Sequence, residues 1–341
     1  MRTSRALPTL AVAMLTLAAC GGGDDSTEDD DGGGEDTAAD ENGSDGGGDA
    51  GGGELTPVTV AAIPIADTAA VWLGVDEGFF EEEGLDVTIT TTGGGAEAMA
   101  GVVSGENEFA FSNVISIMLA VEQGLDVRFV TNGTSAEGSE GGFGALVVSE
   151  DSEIQSADEL EGLTVSVNNF SNITGATASY SIEAAGGDPD TVEWVEIAFP
   201  DAQAAVEAGN VDAAMIVEPF ITAAVESGNR VIAWPFQEIP DLDIAGYFAS
   251  GDTIENDPEL VASFRSAMNR SLEYAAENPD AVRDIIGTYT EIPEDVLAEI
   301  ALPTFRTEFN VEAMTELGEA ATRFGILAAE PDLELVLPLE E

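Results

Sequence analysis

The chain has 341 residues, 67 of them acidic against 9 basic, for a formal net charge of -58; every basic residue is an arginine, and there is no histidine, no lysine and one cysteine, Cys20. That balance excludes nucleic acid, which needs a basic footprint against its phosphates, and peripheral attachment to an anionic membrane surface. It also removes Ser-His-Asp, Cys-His, Schiff-base lysine and His/Cys zinc chemistry, so no catalytic or metal-ligating residue and no cofactor is assigned.

At the start, Arg2 and Arg5 precede an apolar run over residues 6–19, too short for an ordinary membrane span and built like a secretory signal. Leu17-Ala18-Ala19-Cys20 resembles the bacterial lipoprotein lipobox, so residues 1–20 are expected to be a signal peptide and Cys20 the acylated first residue of the mature chain. Residues 21–56 are almost wholly Gly, Asp and Glu with small polar residues, a composition expected to remain a disordered acidic linker.

From residue 57 onward short β-rich runs alternate with longer Ala/Glu-rich helical runs, the pattern of an α/β fold. "VTVAAIPI" (58–65) reads as a strand, followed by a helix from Asp67 toward Gly78 and a strand at "LDVTITTT". "AEAMAGVVSG" is a helix stopped by Gly105, "EFAFS" a strand, "VISIMLAVEQG" a helix stopped by Gly124, and "VRFVTN" a strand leading into a polar loop over 133–142. The order then restarts with the strand "GALVVSED", the helix and strand of "ADELEGLTVSVNN", the helix "TGATASYSIEAAG", and the strand, helix and strand of "VEWVEIA", "DAQAAVEAG" and "DAAMIVEPF". From Asp257 the tail reads as helical almost to its end, with breaks at Pro279, Pro293 and Pro303.

The two halves echo one another. "AMAGVVSGENEFAFSN" and "AQAAVEAGNVDAAMIVEP" share a small-residue helix, a glycine stop, an acid, a buried strand and a polar tip. Gly105 thereby matches Gly209, Glu108 matches Asp212, and Ser112-Asn113 matches Glu218-Pro219. Two similar lobes are expected, a first over 57–142, a second over 143–247 and a return to the first over 248–341. Two hinge crossings are expected, near 143–148 and 234–247, with ligands outside the carboxyl ends of the strands.

"LGVDEGFFEEEGLDVTIT" (73–90) resembles the Gly-Phe-Phe-x-x-x-Gly-Leu-x-Val signature of ABC-importer solute-binding proteins of the nitrate/sulfonate/taurine type, a group that includes binders of a thiamine pyrimidine precursor. "GGGAEAMAGVVSGENEFAFS", "SADELEGLTVSVNN", "AQAAVEAGNVDAAMIVEPF" and "NPDAVRDII" follow in the same order and spacing. The resemblance implies a two-lobed periplasmic-binding-protein-like (type II) fold. It implies capture of a small organic solute between the lobes and delivery to a permease and ATPase. It also implies a monomer lipid-anchored on the outer face of the cytoplasmic membrane of a single-membrane bacterium. A signalling lipoprotein that senses a ligand, or a carboxylate-based enzyme, are the alternatives.

A pocket without basic side chains has to use helix starts, whose free N–H groups and dipole hold polar ligands. Four such junctions fall where the family places its pocket: Ile65-Ala66-Asp67-Thr68, Ser112-Asn113, Asn132-Gly133-Thr134, and Phe170-Ser171-Asn172-Ile173-Thr174. Each has a plainer reading as a cap that only finishes its own helix. Glu218, expected at a strand end facing the cleft, either takes hydrogen bonds from an amine or ring N–H of the ligand or satisfies nearby backbone. Trp72, Trp234 and Tyr247 offer stacking surfaces or belong to the core. With no arginine in these segments, a neutral, zwitterionic or cationic organic solute such as a heterocycle or amine fits better than a small inorganic anion, and a sulfonate or taurine held only by helix N-termini stays open as the alternative.

Overall fold

The structure, a computed structural model, describes residues 54–138 and 141–339. The signal peptide, Cys20 and nearly all of the acidic linker lie outside the described residues. The first lobe opens with β1 (Thr56–Ala62), a single 3-10 turn at Ala66–Thr68, α1 (Ala69–Asp76), α2 (Phe79–Glu82) and β2 (Leu85–Thr91). It continues through α3 (Gly95–Ser104), β3 (Phe109–Asn113), α4 (Val114–Glu122) and β4 (Val127–Ala136). The second lobe holds β5 (Gly144–Val148), β6 (Thr164–Val167), α5 (Ile173–Ala185), β7 (Glu193–Glu196), α6 (Phe199–Glu207), β8 (Ala213–Val217), α7 (Phe220–Glu226) and β9 (Arg230–Ala233). The chain then returns through β10 (Leu242–Ser250), α8 (Gly251–Asn256), α9 (Pro258–Glu277), α10 (Pro279–Tyr289), α11 (Glu294–Leu297), β11 (Thr304–Phe305), α12 (Val311–Arg323) and α13 (Leu333–Val336).

Two sheets result, ordered β11-β4-β10-β3-β1-β2 and β7-β6-β8-β5-β9. In each, a parallel trio (β2-β1-β3 and β7-β6-β8) is continued by one antiparallel strand, β10 in the first and β5 in the second. The central strands β5 and β8 are buried along their whole length, as all-apolar runs require, whereas the edge strands β2 and β7 keep exposed positions.

The echo between the halves has a physical counterpart. Glu108 Oε2 accepts from the Thr59 N–H at 2.7 Å, and Asp212 Oδ2 accepts from the Thr164 N–H at 2.9 Å. Each acid therefore ties the entry of its strand to the neighbouring parallel strand. The preceding glycines, Gly105 and Gly209, both adopt left-handed backbone (φ 73° and 68°), which turns the helix end toward that acid.

Several boundaries differ from those read in the sequence. β4 runs on to Ala136, because residues 133–136 pair with β10 and β11 instead of opening the glycine-rich loop. The lobes are joined by residues 137–143 and 234–241, so the first crossing precedes 143–148, and all of β5 belongs to the second sheet. Leu242 to Tyr247, expected to close the second lobe, lie in β10 and so in the first sheet.

The tail covers more than the first lobe. α9 packs on α1 and α2, where Phe264 stacks on Phe109 (centroids 3.8 Å apart, planes 6° apart), and α10 packs on α1. α11, however, touches α7 of the second lobe, and α12 lies against both α4 and α5. α12 can do this because its buried residues Ala313, Met314, Leu317, Gly318, Ala320 and Ala321 repeat at helical spacing.

Candidate functional site

The two Phe-Ser-Asn junctions meet. Asn113 ends β3, and its Oδ1 accepts from the Ser116 N–H at 2.9 Å, capping α4. The same oxygen accepts from the Ile173 N–H at 3.2 Å, the first amide of α5 in the opposite lobe. Asn172 has no such reach. Its Oδ1 accepts from the Thr174 and Gly175 N–H groups (3.1 and 3.3 Å), and its amide donates to Asn168 Oδ1 at 2.7 Å. One asparagine therefore spans the cleft and the other finishes its own helix.

Two further contacts cross between the lobes. The Ala66 N–H donates to the Glu218 carbonyl at 3.1 Å, joining the first helix start of one lobe to the tip of β8 in the other. Gly94 lies so close to Asn169 that a Cβ on the glycine would overlap Asn169 Oδ1. These contacts bring the strand tips of the two lobes against one another.

Polar atoms without partners gather at these contacts. Asp67 Oδ2, Trp72 Nε1, Thr92 Oγ1, Ser112 Oγ, Asn169 Oδ1 and Tyr247 OH are buried and unbonded, six of the nine such side-chain atoms among the described residues. Asp67 follows Ala66, and Ser112 precedes Asn113 and packs on Gly95. Asn169 packs on Gly94, and Thr92 leads into the same glycine turn. Tyr247 sits opposite Phe111 on β10, beside the Gly246–Ser112 pair. Trp72 stacks on Tyr289 (4.6 Å, 16°), whose hydroxyl donates to the Ile65 carbonyl at 2.9 Å. Buried polar groups in folded proteins are nearly always bonded, so such a concentration makes this region the candidate site.

Asp67 is the charged member of this group. Burial pushes its carboxyl up to about 7 from the ordinary 3.8, against the opposing pull of its own backbone N–H and of Thr134. Oδ1 accepts from Thr134 Oγ1 at 3.4 Å, while Oδ2 has no partner. No guanidinium serves it: Arg128, Arg230, Arg265 and Arg283 donate to backbone carbonyls elsewhere, and Arg270, Arg306 and Arg323 pair with Glu82, Asp241 and Glu183.

A family model described as NMT1/THI5 like matches residues 66–282, which is most of both lobes. The chain belongs to the NMT1/THI5-like family. It is 24% identical over 241 residues to the formylaminopyrimidine-binding protein of Halalkalibacterium halodurans, covering 69% of this chain and 70% of the relative. It is 28% identical over 234 residues to the taurine-binding periplasmic protein of Escherichia coli, covering 65% and 68%. Its fold matches the alkanesulfonate-binding protein of Xanthomonas axonopodis pv. citri bound to MOPS, with a TM-score of 0.71 at 14% identity, over 84% of this chain and 100% of that one.

In this NMT1/THI5-like chain the other residues singled out in the sequence take varied places. Thr68 Oγ1 donates to the Ile63 and Ile65 carbonyls (2.7 and 3.1 Å), holding the bend after β1. Ile173 and Thr174 are buried at the start of α5, where Thr174 Oγ1 donates to Asn172 Oδ1 at 2.6 Å. Gly133 and Thr134 open no helix; they lie within β4, and a Cβ on Gly133 would come within 2.8 Å of the Ala245 carbonyl of β10. Phe170 and Ser171 are exposed and line an outer groove with Trp194, Pro189 and Phe324, so they do not sit with the cross-lobe contacts. Tyr247 is wholly buried, edge-on to Phe111 at 5.2 Å.

The carboxylate of Glu218 is bonded within the protein. It accepts from the Thr222 N–H (3.1 Å), Thr222 Oγ1 (2.8 Å) and the Ala301 N–H (3.3 Å), leaving its backbone carbonyl to face Ala66. The acid at these contacts with an unbonded carboxylate oxygen is Asp67. The sequence reading passed over Thr92, Asn169 and Tyr289. Thr92 and Asn169 carried a weak signal, one directly before the glycine triplet and one directly before Phe170-Ser171. Tyr289 carried none, since it comes from the tail, more than two hundred positions from its partner Ile65.

Proposed function

We propose that this chain is the extracytoplasmic solute-binding component of an ABC importer, closing its two lobes on a small organic solute and delivering it to a permease and ATPase. The observation that carries this reading is the coincidence of the Asn113–Ile173 contact with the buried, unpartnered polar atoms around it. A solute bonded to both sets would favour the closed state, and ligand-dependent closure needs only such differential affinity. Membership of the family and the printed activities of its relatives, which bind a formylaminopyrimidine or taurine, support the solute class. Cys20 serves as the lipid anchor, residues 21–56 as the linker that carries the lobes away from the membrane, and the working unit is a monomer. The test is a thermal-shift and X-ray scattering screen of the full-length chain against heterocycles, amines and sulfonates. A ligand at 100 times its Kd adds about 2.7 kcal/mol of stability and compacts or locks the lobes. If no solute of any of these classes moves either signal, the reading fails.

A further inference from the structure

Each lobe-spanning contact leaves behind acceptors with nothing to accept. Asp67 Oδ2 and Asn169 Oδ1 are oxygen acceptors, and the atoms around them, Ser112 Oγ, Thr92 Oγ1 and Tyr247 OH, are hydroxyls that both donate and accept. Every described arginine has a partner elsewhere, so the one charge within this group is the carboxyl of Asp67, which is 2% exposed. A buried carboxylate without a cation is stabilised by a donor-bearing or positively charged ligand and repels an anion brought beside it. That repulsion discriminates as strongly as the attraction.

We propose that Asp67 is the specificity-determining ligand contact of the cleft: its free Oδ2 accepts a hydrogen bond from an N–H donor of a neutral or cationic solute, an amino-heterocycle, amidine or amine, and its charge refuses sulfonates and nitrate. This rests on the cleft being the solute site, as proposed above. Asn169 Oδ1, brought by the second lobe against Gly94, accepts a second donor, so the solute presents N–H groups to both lobes. Thr134 acts as a positioning residue, holding Asp67 Oδ1 so that Oδ2 stays available.

A proton accompanies this choice. In the free protein Asp67 holds its proton up to a pH of about 7, and an N–H donor, above all a charged one, bonds more strongly to the carboxylate than to the acid, so binding such a solute below pH 7 releases that proton to the buffer. Asp67 is faced by Thr134 from β4, by Tyr247 from β10 and by Tyr289 from α10. Both phenols lie above their ordinary value, mainly through burial, and so stay neutral across this range. Glu218 is the other acid raised by burial near the contacts, but Thr222 and Ala301 occupy its carboxylate.

Titration calorimetry on the full-length chain tests the proposal with two probe series: aminopyrimidines, amidines and amines against taurine, methanesulfonate and nitrate. At pH 8.5, where Asp67 carries its charge, a member of the first series is expected to bind, with none of the second. Asp67→Asn is expected to weaken that binding tenfold or more. For a probe that does not itself titrate between pH 5.5 and 8.5, binding at pH 6 in two buffers of different ionisation heat should release about one proton, falling to none by pH 8.5. Asp67→Asn abolishes the release and Glu218→Gln does not; if Asp67→Asn fails to fold, the proton count on the unaltered chain decides. Binding of a sulfonate or nitrate at pH 8.5, or binding of an amine at pH 6 without proton release, overturns the role of Asp67 and leaves the transport reading standing. Silence from both series brings down that reading and this one together.

Discussion

Burying Asp67 lifts its carboxyl from 3.8 to about 7, which gives the residue a pH signature of its own. Between those values the folded protein holds a proton that the unfolded chain releases. The stabilisation is therefore complete below about pH 4 and is lost as pH rises through about 7. The difference in unfolding free energy between the unaltered chain and Asp67→Asn should fall by up to about 4 kcal/mol from pH 4 to pH 8. Urea unfolding across that range measures it, and a pH-independent difference would refute the burial account. Glu218 calls for a different experiment. Glu218→Ala strips the acceptor from three donors, which costs about 1–3 kcal/mol of stability. Solute affinity of the folded variant should change little, because the carboxylate serves α7 and the tail; a large loss of affinity at unchanged stability would return Glu218 to the ligand.

Among the elements, the two capping asparagines provide an internal control. Asn113→Ala and Asn172→Ala each remove a helix cap worth about 1 kcal/mol, and both should lower the melting temperature by a similar amount. Only Asn113→Ala also removes a bond between lobes, so it alone should shift the scattering profile toward a more open molecule. Equal scattering from both variants would show that the Asn113–Ile173 bond does not hold closure. The turn before α3 makes a parallel case. Gly94→Ala places a methyl where Asn169 Oδ1 lies, in backbone that any residue can adopt (φ 174°). Solute affinity should drop about tenfold while urea stability holds, because the clash exists only when the lobes meet.

For the molecule as a whole, charge dominates. A net charge of -58 with no lysine to offset it makes folding work against self-repulsion, which salt screens over about 10 Å at 0.1 M and about 3 Å at 1 M. The melting temperature should therefore rise as potassium chloride goes from 0.1 to 1 M; a flat or falling response would mean that repulsion is not limiting. The tail adds a second whole-molecule feature. α12 lies against α4 and α5, and Arg323 pairs with Glu183 at 2.7 Å while Tyr180 donates to Glu316 at 2.8 Å, so movement between the lobes has to rearrange contacts along this helix.

The order of strands and helices from β1 to β8, the two-lobed α/β plan and the matched pairs Gly105/Gly209 and Glu108/Asp212 were determined by the sequence alone, whereas β11 in the tail, read as helical almost to its end, was not. They rest on local rules: helix stops, strand patterning and an acid placed one strand entry away. Only the tertiary structure decided which polar residues act across the cleft. Ser112, Asn113, Ser171 and Asn172 look alike as capping residues in the chain. Asn113 reaches Ile173, Asn172 serves only its own helix, and Ser171 lies on an outer groove. Glu218 was the acid that stood out in the chain and Asp67 only part of a helix start, until folding gave three donors to the first carboxylate and left an oxygen of the second unbonded. The physical reason is that hydrogen-bond partners at a lobe interface come from segments sixty to more than two hundred residues apart. No local pattern records which of them will be satisfied and which left for a solute.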